Sequence, residues 1–245
     1  MGVIITRHEN VAEITLDWPE IRNALGPSEG RALREGLEQL LADADVGAIV
    51  LSASGKAFCA GGNLPEILRL ADEGAEAVRT TIYAEFQGVF RAITTAAVPV
   101  IAAVDGPAVG FGCDLALAGS ATCIGARGWL AQGWAKAGLI PATGGTLYAK
   151  RRGGAQAVWR LLAAERLDGP AAERIGLGIA CEDGREAALA MARTFASLPR
   201  AALKALVDLQ RIDDAEAHLA KALDYQSGFL TDPSFRERVA ALLAR

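Results

Sequence analysis

Histidine is scarce in this chain: only His8 and His218 occur among 245 residues. A nucleophile activated by a Ser–His or Cys–His pair therefore has little to draw on. Both histidines read as solvated or packed side chains. The four cysteines, Cys59, Cys113, Cys123 and Cys181, stand far apart, without the spacing of a zinc site or a redox pair. No metal is expected, and free thiols suit a reducing cytoplasm. The longest apolar run, Ala96–Val104, contains Pro99 and is far shorter than the roughly 20 residues that cross a bilayer. Net charge is −4 with both signs interspersed, and no basic stripe is available for nucleic acid. The opening MGVIITRHEN has neither an apolar signal core nor a small-residue cleavage site. These absences leave a cytoplasmic protein without membrane or nucleic-acid partners as the expectation.

What is present is an ordinary globular composition, 51% apolar and 22% charged. IITRHENVAEITLD reads as a hairpin with Ala12, Ile14 and Leu16 on one face. Ser28 is placed to cap a helix whose stripe is Leu33, Leu37, Leu40 and Leu41. Short buried strands are expected at 48–53, 98–106 and 121–126, with helices at 64–71, 75–94 and 113–118. A buried strand, a glycine-rich bend and a helix thus occur twice in succession, a pattern of layered α/β folds with ligand groups at strand C-terminal ends. Beyond Gly145 the chain is mainly helical, including one long helix from Pro199 to about Leu230. A boundary is expected near Leu198-Pro199, giving a core of 1–198 and a helical region of 199–245 for packing and oligomerisation.

In both repeats the glycines come just before a helix starts. A helix N-terminus exposes backbone N–H groups without intrahelical partners and carries partial positive charge. Two such starts side by side could present two donors to one oxygen, with Gly62 and Phe111 as the candidates. Tight turns alone would also account for the glycines. The dinucleotide fingerprint fails, since Leu115 stands where its last glycine belongs.

RNAL (Arg22–Leu25), IVLSASGKAFCAGGNL (Ile49–Leu64), PVIAAVDGPAVGFGCDLALAG (Pro99–Gly119) and AGLIPATGGT (Ala137–Thr146) occur in that order. Together they resemble the crotonase superfamily, the enoyl-CoA hydratases and isomerases of fatty acid metabolism. The resemblance implies an α/β spiral of ββα units with a C-terminal helical region that forms trimers, often stacked as hexamers. It implies a thioester carbonyl polarised by the amides of Gly62 and Phe111. Coenzyme A would lie along Ala57, Phe58 and Ala60, with Ala24 near the pantetheine and Phe229 reaching a neighbouring subunit's ligand. Lys56 and Arg22 are best placed for its phosphates, whereas Arg151-Arg152 also suits a helix C-terminus. No separate cofactor is implied, coenzyme A being part of the substrate.

Hydratases of the superfamily hold a water between two glutamates. The first position matches Asp114, an acid one methylene shorter; the second matches Trp134, which cannot titrate. Asp114 is either a base in the thioester pocket or a stabiliser of its own helix start. Trp134 either packs against the acyl chain or offers its indole N–H to a polar atom. Ala142, where some relatives carry an acid, supplies none; Glu66 and Glu85 could substitute or be solvated helix residues. The expected activity is hydration, dehydration or isomerisation of an enoyl-CoA. The alternative is a non-catalytic or atypical acyl-CoA binder.

Overall fold

The computed structural model describes residues 2–232, 234–235 and 237–239. In chain order its first elements are β1 (Gly2–His8), β2 (Val11–Asp17), α1 (Pro27–Ala42), β3 (Ala48–Ala53) and α2 (Leu64–Ala71). Then come α3 (Ala75–Ala77), a π-helical turn (Val78–Tyr83), α4 (Ala84–Thr94), β4 (Val100–Val104), β5 (Pro107–Val109) and α5 (Phe111–Ala118). They are followed by β6 (Ala121–Ile124), β7 (Trp129–Ala131), α6 (Gly145–Ala163), β8 (Leu167–Asp168), α7 (Gly169–Arg174) and β9 (Ile179–Ala180). Three helices end the series, α8 (Gly184–Ala196), α9 (Arg200–Leu209) and α10 (Ala215–Thr231).

The hairpin forms as its alternation predicts, β1 antiparallel to β2. From β2 onward the main sheet is parallel, in the order β1-β2-β3-β4-β6-β9. Parallel strands need helical crossovers, which leave both faces covered. Ala12, Ile14 and Leu16 accordingly enter one core cluster with Leu33, Leu37, Phe86 and Phe111. The opposite face of the sheet, with Val11, Val50, Ile101 and Cys123, packs on Ala188, Leu189 and Ala192 of α8.

A second, three-stranded sheet of order β5-β7-β8 was not legible in the sequence, because its strands are two or three residues long. Other boundaries also move. Gly26, not Ser28, caps α1, with Pro27 in the first position and the Glu29 carboxylate accepting from the Gly26 N–H at 2.9 Å. α5 begins at Phe111, two residues before the expected start. The single helix expected after Pro199 is two, α9 and α10.

The chain divides into two compact units, Met1–Ser197 and Leu198–Arg245. In the second, the Tyr225 hydroxyl donates to Asp208 at 2.9 Å and ties α10 to α9. Among the described residues no helix is long and apolar enough to cross a membrane.

Candidate active site

The stretch 57–63 runs between two others. On one side the Ala60 N–H donates to Arg22 O (3.0 Å), Leu25 N–H to Gly61 O (2.9 Å) and Asn63 N–H to Leu25 O (2.8 Å). On the other, the Cys59 N–H donates to Pro107 O (3.1 Å) and Val109 N–H to Cys59 O (2.9 Å). The crossing is close enough that a Cβ at residue 112 would run into the Cys59 carbonyl, so only glycine fits there. The two candidate helix starts are therefore held alongside each other.

Each leaves an amide uncommitted. In the parallel bridge between Leu25 and Gly62, Leu25 uses both its backbone groups, while the Gly62 N–H takes no part. Phe111 occupies the first position of α5, where an N–H has no intrahelical partner. Its ring, fully buried between Phe86 (4.7 Å between centroids) and Phe90 (5.1 Å), anchors the start of the helix.

One residue of the RNAL stretch that the sequence marked with no role of its own builds much of this geometry. Asn23, fully buried at φ 52, accepts from the Trp18 N–H (2.8 Å) and donates to Ser54 O (3.0 Å) and Ala57 O (2.9 Å). It clamps the loop carrying half-buried Ala24 onto the turn carrying exposed Lys56. Ala57 and Phe58 are buried and Ala60 half-buried.

Asp114 lies one turn into α5, its N–H bonded to Gly110 O (3.0 Å), and is completely buried. Among the described residues it has no cationic partner. Thr143 donates its hydroxyl to Oδ2 at 2.6 Å, and Gln132 donates its amide to Oδ1. Gly145 lies so close that a Cβ there would meet the carboxylate. Burial pushes the carboxyl up from 3.8 to about 7, and the Thr143 and Gln132 bonds pull it only partly back. Burial also raises the hydroxyls of Tyr148, to about 12, and of Tyr83, with the Asp114 charge adding to both. Tyr148 in turn donates to Thr143 O at 2.9 Å, fixing the loop that holds the carboxylate.

Trp134 lies at the start of α5. Its indole lies over Gly110, where a Cβ would be 3.4 Å from Cε2 and Cζ2 and 3.7 Å from Nε1. The other acids are elsewhere. Glu85 is taken by Arg31 (2.9 Å) and Arg34 (3.0 Å). Glu66 is half-buried with its carboxylate against Gly26 at the start of α1. Arg152 is not placed for phosphate: it donates to Leu117 O (2.9 Å) and Gly119 O (2.8 Å) at the end of α5. Phe229 belongs to α10 of the second unit, where it stacks on Tyr225. Among the described residues no group of His, Cys, Asp or Glu gathers as a metal site. Gln132, Thr143 and Asn23 went unread because each is an uncharged residue with a partner distant in sequence.

A buried carboxylate near neutrality, one turn into the helix whose first residue is Phe111, suits proton transfer next to a polarised carbonyl. The enoyl-CoA hydratase/isomerase family model matches residues 6–239. A protein of Mycobacterium tuberculosis named "Probable enoyl-CoA hydratase" is 33% identical over 250 residues, covering 98% of this chain and 96% of that protein. One of the same name from Rhizobium meliloti is 34% identical over 254 residues, covering 99% and 95%. The crystal structure of an enoyl-CoA hydratase from Polaromonas superposes with a TM-score of 0.90 at 28% identity, covering 100% of this chain and 97% of that one. That of an enoyl-CoA hydratase from Mycobacterium smegmatis gives 0.88 at 29%, covering 99% and 96%. The α/β architecture is that of the crotonase fold, and the chain belongs to the enoyl-CoA hydratase/isomerase family.

Proposed function

We propose that this protein hydrates a 2-enoyl-CoA, and dehydrates the 3-hydroxyacyl-CoA, using one carboxylate in place of two. The thioester oxygen rests on the amides of Gly62 and Phe111, which stabilise the enolate as charge develops there. In hydration the Asp114 carboxylate takes a proton from water as the water oxygen bonds to C3, then delivers that proton to C2. In dehydration it takes the C2 proton and returns it to the departing hydroxyl. Proton return to another carbon of the acyl chain would give isomerisation with the same groups. Coenzyme A lies along Ala24, Lys56, Ala57, Phe58 and Ala60 and needs no further cofactor.

The observation that carries this reading is Asp114 itself, fully buried, bonded only to neutral donors, and raised to about 7. A carboxyl poised near working pH has little structural use. The assembly we propose is a trimer, or two stacked trimers, with Phe229 at a neighbour's coenzyme A. It would cover apolar surface on α10, where Leu219, Leu223 and Leu230 are exposed. Four free cysteines suit a cytoplasmic setting.

Loss of enoyl absorbance with crotonyl-CoA tests the reading. The wild-type protein should turn over, and Asp114→Asn should lose at least about 10²-fold in rate while still binding butyryl-CoA by calorimetry. Full activity in D114N would remove Asp114 as the base. Absence of both turnover and thioester binding would overturn the assignment.

A further inference from the structure

Two buried side-chain polar atoms have no hydrogen-bond partner among the described residues, Gln132 Oε1 and Trp134 Nε1. They stand two positions apart on the segment that follows β7. Buried polar groups in folded proteins are nearly always paired, and an unpaired one calls for a reason. Leaving a donor buried and unmet costs about 1–3 kcal/mol. A phenylalanine at 134 would fill space without that cost, so packing alone does not account for the indole.

Its surroundings suggest what the N–H meets. The indole lies over Gly110, the residue before the Phe111 amide. Gly110 O accepts the N–H of Asp114. Gln132 donates to the Asp114 carboxylate, so the segment bearing Trp134 is tied directly to the acid. The indole thus lies over the glycine that precedes the candidate oxyanion amide, and the carboxylate is held by Gln132, two residues before Trp134. With the thioester oxygen on the amides and C2 within reach of Asp114, C3 and any oxygen it carries are next along the acyl chain.

We infer that the Trp134 indole N–H donates a hydrogen bond to the oxygen on C3, the hydroxyl of a 3-hydroxyacyl thioester or the water that becomes it. This rests on the acyl-CoA reading above and assigns Trp134 as a specificity-determining residue for the polar form of the acyl group. An indole can hold that oxygen but cannot take its proton, so Asp114 carries the proton transfer alone. A site built to donate to a substrate hydroxyl discriminates against the analogue lacking it.

The test compares butyryl-CoA with 3-hydroxybutyryl-CoA by calorimetry, in a D114N background that prevents turnover. The hydroxylated thioester should bind roughly 5–100-fold more tightly, and the added change W134F, which keeps a flat ring and removes the donor, should abolish that preference. Equal binding of the two thioesters by D114N, or a preference that persists in D114N/W134F, overturns the inference and leaves the acyl-CoA reading standing. Binding of neither thioester overturns both. If the double variant does not fold, the indole ¹⁵N–¹H resonances of D114N decide. One of the four tryptophans should shift with 3-hydroxybutyryl-CoA and not with butyryl-CoA; identical responses overturn the inference.

Discussion

Two buried carboxylates, Glu13 on β2 and Asp114 on α5, are 1% and 0% exposed, yet the protein treats them oppositely. Glu13 accepts from Nε and Nη2 of Arg185, each at 2.6 Å, and from the Ser52 hydroxyl at 2.7 Å, with His8 Nε2 at 3.0 Å. Burial raises its carboxyl, but the bonds from Arg185, Ser52 and His8 and the Arg185 charge outweigh it, leaving a net lowering. Asp114 receives only a hydroxyl and an amide, and burial prevails. The first is an ionised tie between the sheet and α8. The second pays for its burial with a proton affinity near neutrality. Depth in the core does not separate a structural acid from a chemical one; the charge of the partners does.

The largest expected effect separates them by activity. D114N should lower the hydration rate by at least about 10²-fold, whereas E13Q should leave it within a few-fold; equal losses would erase the distinction. Next comes stability against pH, measured by urea unfolding. A group whose carboxyl is raised on folding contributes stability below its unfolded value, and that contribution is lost as pH rises. Asp114 should therefore destabilise the wild-type protein between about pH 4 and pH 7, by a few kcal/mol at most given about 1.4 kcal/mol per pH unit, and D114N should lack that decline. Glu13 has the opposite sign: its contribution is present above its ordinary value and lost as pH falls, and E13Q should remove that acid-side loss.

A smaller effect is expected of Arg185→Met, which strands the Glu13 charge. About 2 kcal/mol should be lost, less than the ~3–5 of a fully buried pair, because the Arg185 side chain is 53% exposed. Smallest is Thr143→Val. It removes one donor to Asp114 and should move the midpoint of the pH–rate profile upward by about one pH unit, with about 1 kcal/mol of stability lost. An unmoved midpoint would show that Thr143 does not tune the acid.

The parallel core was readable because its strands are continuous apolar runs, such as Ile49–Leu51 and Val100–Val104, with glycine-rich bends after them. Strands β5, β7 and β8 are too short to carry a periodicity, and their pairing comes from tertiary contact. At the site, Asp114, Gly62 and Phe111 stood out because an acid and helix-start amides carry chemistry in their residue type or position, whereas Trp134 stood out only through the resemblance, as the residue at the second carboxylate position. Thr143 and Gln132 did not, since a hydroxyl or an amide 29 or 18 residues from its carboxylate leaves no mark in a linear sequence. Asn23 is similar: its side chain reaches 34 residues ahead to the Ala57 carbonyl.

The pH dependence of kcat/KM for crotonyl-CoA hydration tests the single-carboxylate account most directly, since it reports ionisations of the free enzyme. One ionisation should govern the acid limb, with the rate rising to a plateau above about pH 7, and D114N should abolish it along with the activity. A rate that is flat from pH 5 to pH 9, or an acid limb that survives D114N, would contradict it.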